Sequence, residues 1–108
     1  MKESALFRVA LVTAPDLKSA RRVARSALKK RLAACANLIP GLESHYWWQG
    51  KLKTSGEVLI LFKTRRTLLK KLEREVLANH PYDTPEFVVL ELTGGAERYL
   101  DWLGKETA

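Results

Sequence analysis

Glu57-Val58-Leu59-Ile60-Leu61-Phe62-Lys63 is the stretch on which the fold of this chain turns. Its β-branched and aromatic content predicts a strand. Successive side chains of a strand point to opposite faces. Val58, Ile60 and Phe62 therefore share one face, and Glu57, Leu59, Leu61 and Lys63 share the other. A sheet packed on one side only alternates apolar with polar residues. This stretch does not, because leucines occupy the second face as well. The same pattern returns in Glu86-Phe87-Val88-Val89-Leu90-Glu91-Leu92-Thr93, predicted as the fourth strand and closed by Gly94-Gly95. There Phe87 and Val89 oppose Val88, Leu90 and Leu92.

Upstream, Cys35 to Ile39 begins a second strand, with Pro40-Gly41 as a bend or bulge. Glu43-Ser44-His45-Tyr46-Trp47-Trp48-Gln49 resumes it, and Gly50-Lys51 makes the hairpin turn into the third strand. Phe7 to Thr13 is the first strand. Ala14-Pro15-Asp16 breaks it, and the Asp16 carboxylate caps the next helix. In that helix Leu17, Ala20, Val23, Ala24, Ala27, Leu28 and Leu32 recur at helical spacing, opposite Lys18, Arg21, Arg22, Arg25 and Lys29. It ends around Arg31 to Ala34.

Downstream, Thr64 is placed as the cap of a second helix whose apolar stripe is Leu68, Leu69, Leu72, Val76 and Leu77. His80-Pro81-Tyr82-Asp83-Thr84-Pro85-Glu86 stops it near Asn79, since each proline pushes the preceding residue out of the α region. A tail helix runs from Ala96 to Gly104 with Tyr99, Leu100, Trp102 and Leu103. The order βαββαβ plus a terminal helix predicts an α+β, ferredoxin-like split βαβ fold, with two helices on one face of an antiparallel sheet. Those helices cover one face only, and the tail helix is too short to cover the other. A closed oligomer is the expected cover.

A length of 108 residues implies one domain, 1–108, and 46% hydrophobic content implies a globular chain. No apolar run approaches the roughly 20 residues that span a bilayer. The first residues, Met1-Lys2-Glu3-Ser4, lack the apolar core of a signal peptide. One cysteine, Cys35, excludes an internal disulfide, so a reducing cytoplasm is the expected compartment. The net charge of +7 sits mostly on Lys18–Arg31 and Lys63–Arg74 and reads as solvated helix faces. No membrane partner and no specific nucleic-acid partner are expected. The aromatics that could stack on bases, Tyr46, Trp47 and Trp48, lie on strands, away from the basic helices. Cys35, flanked by alanines at a helix-to-strand junction, reads as a buried core thiol and not as a nucleophile.

Lys30-Arg31-Leu32-Ala33-Ala34-Cys35-Ala36-Asn37, Ser44-His45-Tyr46-Trp47-Trp48-Gln49-Gly50-Lys51, Lys63-Thr64, the His80–Glu86 elbow and Tyr99-Leu100-Asp101-Trp102-Leu103 occur in an order and spacing that resemble the CutA family, the divalent-cation tolerance proteins. The likeness includes Thr13-Ala14-Pro15 and runs from about Val9 to Leu103. It implies a compact homotrimer, similar in architecture to the PII signalling proteins, whose long second and third strands pair across subunits. It also implies tolerance of divalent metals, copper above all, and no established catalytic activity. In copper-binding members a histidine matching His80 acts with a histidine just before it and a cysteine near the end of the first strand. Here those two positions hold Asn79 and Val12.

Two site readings follow. The metal reading takes His80, Asp83 and Glu86 as donors for a divalent cation such as copper, completed across a subunit boundary. The sensor reading takes Tyr46, Trp48, Glu57, Lys63, Tyr82 and Trp102 as a polar cleft at that boundary. Its ligand is a small organic molecule, its partner another protein, and metal has no role. The alternative to that cleft is that these residues form buried interfacial hydrogen bonds and ion pairs that set the register of the trimer.

Overall fold

A computed structural model describes residues 1–107. The element order is β1 (Lys2–Ala14), α1 (Leu17–Lys29), β2 (Cys35–Trp48), β3 (Lys51–Arg65), α2 (Leu69–Asn79), β4 (Val88–Gly95) and α3 (Glu97–Glu106). The strands form one sheet in the order β2-β3-β1-β4, and every neighbouring pair is antiparallel. This is the split βαβ arrangement read from the sequence.

The core lies between the sheet and the two helices α1 and α2. Ala10, Val12 and Ala14 of β1 and Val58, Ile60 and Phe62 of β3 meet Ala20, Val23, Ala24 and Ala27 of α1 and Leu72 and Val76 of α2. Small residues along α1 let that helix lie close against the sheet. Phe62 is wholly buried. Truncating it to alanine would cost about 3–5 kcal/mol, because the cavity left behind adds to the lost transfer energy.

Among the described residues, the opposite face of the sheet is covered at one end only. There α3 places Leu100 and Leu103 against Phe7, with Ala34 and Leu92 beside them. The register puts Leu11 beside Leu61 and Val88, and puts Ile39 beside Leu59. Of these, Ile39 and Val88 remain 45% and 46% exposed, and Leu90 is 48% exposed. That leaves a continuous apolar strip open.

Strands β2 and β3 run well beyond this core. At about 3.3 Å per residue, β3 alone accounts for the length of a molecule that measures 44 × 25 × 22 Å. The hairpin turns through Gln49 and Gly50, both at positive φ (51° and 77°), one residue earlier than expected. Two consecutive positive φ values match the right-handed twist of the flanking strands, and Gly50 meets that demand without strain. Gly41 is also at positive φ, 83°, in the register shift between Ile39 and Leu42. The Pro40-Gly41 bulge is therefore real.

Asp16 caps α1 as expected, its carboxylate accepting the Ser19 N–H at 2.7 Å. Thr64 does not cap α2. It is buried in β3, where its hydroxyl donates to the Leu32 carbonyl at 2.6 Å, and the chain reaches α2 through a 3-10 turn, Arg66–Leu68. The strand outlasts the cap signal because its pairing with β1 continues to Arg65. β4 begins at Val88, two residues late, because the backbone from Pro85 to Phe87 has no partner strand. Leu77, placed in the stripe of α2, is 45% exposed. Cys35 is half-buried on the open face, with its Sγ 3.5 Å from Asn37 Oδ1, and is not the core thiol expected.

Candidate functional site

The two prolines of the elbow hold His80 extended (φ −89°, ψ 138°) at the end of α2. Its ring is fixed from both sides. Nδ1 accepts the Tyr82 N–H at 3.1 Å, so Nε2 carries the proton and donates to the Thr13 carbonyl at 2.7 Å. The imidazole thereby ties the elbow to the end of β1. It also packs on the Tyr82 ring, with centroids 4.8 Å apart.

Tyr82 carries the connection forward, its hydroxyl donating to Glu57 Oε2 at 2.8 Å. Burial of the phenol raises its pKa well above the usual tyrosine value, and the carboxylate it donates to raises it further. Tyr82 is thus a fixed hydrogen-bond donor. The carboxyl of Glu86 is also pushed up, first by partial burial and then by the charge of Glu57. Glu86 stays open to water, which tempers the effect.

Tyr82, Glu57 and Glu86 line a cleft of about 740 Å³ between the elbow and the β2–β3 hairpin. Asp83 of the elbow and Tyr46, Trp47 and Trp48 of β2 line it as well. The Tyr46 hydroxyl is held 2.6 Å from Ser55 Oγ. His45 lines the rim, with its ring nitrogens engaged by Glu43 and Thr54. The cleft joins carboxylates to aromatic faces, and both attract cations.

The residues anticipated for the cleft fall into two groups. Tyr46, Trp48, Glu57 and Tyr82 lie together here, with Asp83 and Glu86 from the anticipated metal set. Lys63 and Trp102 do not. Lys63 lies three alternations along β3 from Glu57, and its Nζ donates to the Tyr99 hydroxyl at 3.3 Å. That ammonium also sits 5.4 Å from the Tyr99 ring centre, and the Tyr99 ring is 5.5 Å from that of Trp102. His80 lies behind Tyr82 and outside the lining. Among the described residues, no group of three or more His, Cys, Asp or Glu side chains is arranged to hold a metal ion.

Trp47 and Tyr99 belong to the two groups and were not anticipated for the site. Strand parity places Trp47 away from its neighbours Tyr46 and Trp48, so no pattern singles it out. Tyr99 carried a readable signal, since it precedes Trp102 by three helical positions.

A ferredoxin-like chain with an open apolar sheet face and an acidic, aromatic cleft at its border is the class that fold and site define. The comparisons agree. The family described as CutA1 divalent ion tolerance protein matches residues 8–106, and the chain belongs to it. Protein CutA 1, chloroplastic, of Oryza sativa subsp. japonica is 46% identical over 99 residues, covering 92% of this chain and 56% of the rice protein. Divalent-cation tolerance protein CutA of Thermus thermophilus is 44% identical over 99 residues, covering 92% of this chain and 96% of the relative. The chain spans little more than half the length of the plant relatives, 56% in rice and 54% in Arabidopsis thaliana. Among solved structures, CutA1 from Oryza sativa superposes with a TM-score of 0.93 at 44% identity, covering 97% of this chain and 96% of that one.

Proposed function

We propose that this protein acts in divalent-cation tolerance as a homotrimer that binds a cation, copper above all, weakly at clefts between subunits. The observation that carries the reading is the placement of two complementary groups at the two ends of one open sheet face. Glu57, Asp83 and Glu86 stand at one end, and Lys63 with Tyr99 and Trp102 at the other. A head-to-tail ring brings the acidic end of one copy to the basic, aromatic end of the next. The same ring covers Leu11, Leu59, Leu61, Val88 and Leu90.

Among the described residues, the carboxylates of one chain do not by themselves make a coordination set. A cation in the cleft is held by oxygens, with waters or donors from a second chain completing its shell. His80 contributes no free nitrogen, since both are engaged by backbone groups. The protein works by binding and assembly and not by catalysis. Residues 1–108 act as one domain, and the lone cysteine suits a cytoplasmic setting.

A second reading is favoured by the engagement of His80: a PII-like sensor or adaptor, with a small organic ligand in the cleft, a partner protein and no metal. Calorimetric copper titration separates the two. The metal reading expects binding to the wild type that weakens strongly in a Glu57→Gln/Glu86→Gln variant. No binding by the wild-type trimer leaves the sensor reading.

A further inference from the structure

The helical layer carries charge that neither the core nor the cleft uses. Buried Ala20, Val23, Ala24 and Ala27 place Lys18, Arg25 and Lys29 on the opposite, outward side of α1. On α2, buried Leu72 and Val76 place Lys70, Lys71 and Arg74 outward in the same way. The two helices lie side by side and antiparallel. Arg22 donates to the Asn79 carbonyl, and Ser26 and Lys30 meet Glu75. Their outward rows therefore form one surface. None of those six outward side chains makes a salt bridge among the described residues, and all are exposed.

Two further observations single this surface out. Residues 17–29 contain no acid, and Lys18/Arg22, Arg21/Arg25 and Arg25/Lys29 are like-charged pairs one turn apart, an arrangement that opposes helix formation. Of the nearby carboxylates, Asp16 caps α1 and faces Lys18 and Arg22, Glu75 is tied to Lys30 and Ser26, and Glu73 stands on α2, so the positive charge of the surface stays in excess. Among the described residues the surface is also bare of aromatic rings, and its one large exposed apolar side chain is Leu77.

We propose that this helical face binds the phosphate backbone of duplex nucleic acid without reading its sequence. A straight row from Lys18 to Lys29 spans about 16 Å at 1.5 Å per residue, and the outward residues of α2 form a parallel row. Two rows of cations suit a rigid polyanion whose charges repeat regularly along its length. Arginines at Arg25 and Arg74 can each grip a phosphate with two N–H groups. Bases have no stacking platform here, so duplex is favoured over single strands. A membrane surface is disfavoured because the apolar stripes of both helices are spent on the core.

The test is fluorescence anisotropy with a labelled mixed-sequence DNA duplex, titrated across a range of sodium chloride concentrations. Lys29→Gln/Arg25→Gln/Arg74→Gln is compared with Lys53→Gln/Arg98→Gln/Lys105→Gln, which removes the same charge elsewhere; circular dichroism checks that both fold. Wild-type protein is expected to bind duplexes of different sequence equally. The helix-face variant should make the negative slope of log K against log salt shallower by about 0.9 for each phosphate it no longer neutralises. The control variant should keep that slope. Equal losses in both variants, or binding to phosphatidylglycerol vesicles without binding to DNA, would overturn the proposal.

Discussion

His80 Nε2 lies 2.7 Å from the carbonyl oxygen of Thr13, so the elbow after α2 is fastened to the end of β1 by the residue that looked most like a metal ligand. With Nδ1 accepting from Tyr82, both nitrogens serve the backbone. His80→Ala should therefore destabilise the protein by about 1–3 kcal/mol, the usual worth of two such bonds. It should leave copper affinity unchanged. Urea unfolding at fixed protein concentration and copper calorimetry on the same pair of proteins check both halves. A sub-micromolar copper site that vanishes in the variant would make His80 a ligand.

The strip formed by Leu11, Leu61, Val88 and Leu90 requires a cover, since contiguous apolar surface of this kind marks an interface. Sedimentation equilibrium at micromolar concentration should give a trimer. Leu61→Asp would bury a carboxylate in that interface and should give monomers, or far weaker association. A wild-type monomer would remove the basis for intersubunit clefts.

Tyr82 offers a spectroscopic reporter. Burial first, and then its bond to Glu57, hold the phenol protonated beyond the ordinary tyrosine range. Glu57→Gln removes the charge but not the burial. The last tyrosine to ionise in an alkaline absorbance titration should then do so at lower pH, though still above an exposed tyrosine. Tyr82→Phe should abolish that last step. A Glu57→Gln protein with an unaltered last step would show that burial alone sets it.

Two glutamates should pull the acid stability profile in opposite directions. Glu75 has its pKa lowered, chiefly by Lys30 and then by Ser26, from an ordinary value of 4.5. Its contribution is present above that value and is lost as pH falls through the folded pKa. Glu86 has its pKa raised, so it favours the fold below 4.5 and loses that contribution as pH rises through the folded pKa. Glu75→Gln should therefore weaken the protein near neutrality and have little effect in acid. Glu86→Gln should strengthen it near neutrality. Urea midpoints measured across this range give the sign directly, and a uniform shift at all pH values would contradict both.

Much of this protein was determined by its sequence alone. The periods of two and 3.6, the Asp16 cap, the Pro40-Gly41 bulge and the two prolines of the elbow are local features. Each acts through neighbours within a few residues, so the chain order discloses it. The doubly apolar strands likewise disclosed the open sheet face. Other features were decided only by tertiary structure. Thr64 has the composition of a cap, yet strand pairing to Arg65 carried it into the core, where the Leu32 carbonyl needed a donor. Cys35 reads as a core residue, but register with Lys63 put it on the open face. Glu57 and Lys63 share a strand face by parity, but the hairpin and elbow claimed one while α3 claimed the other. Whether His80 has a nitrogen to spare depends on the Thr13 carbonyl, 67 residues away in the chain. A hydrogen bond of that range leaves no mark in local pattern, because its energy is set by where two distant backbones come to rest.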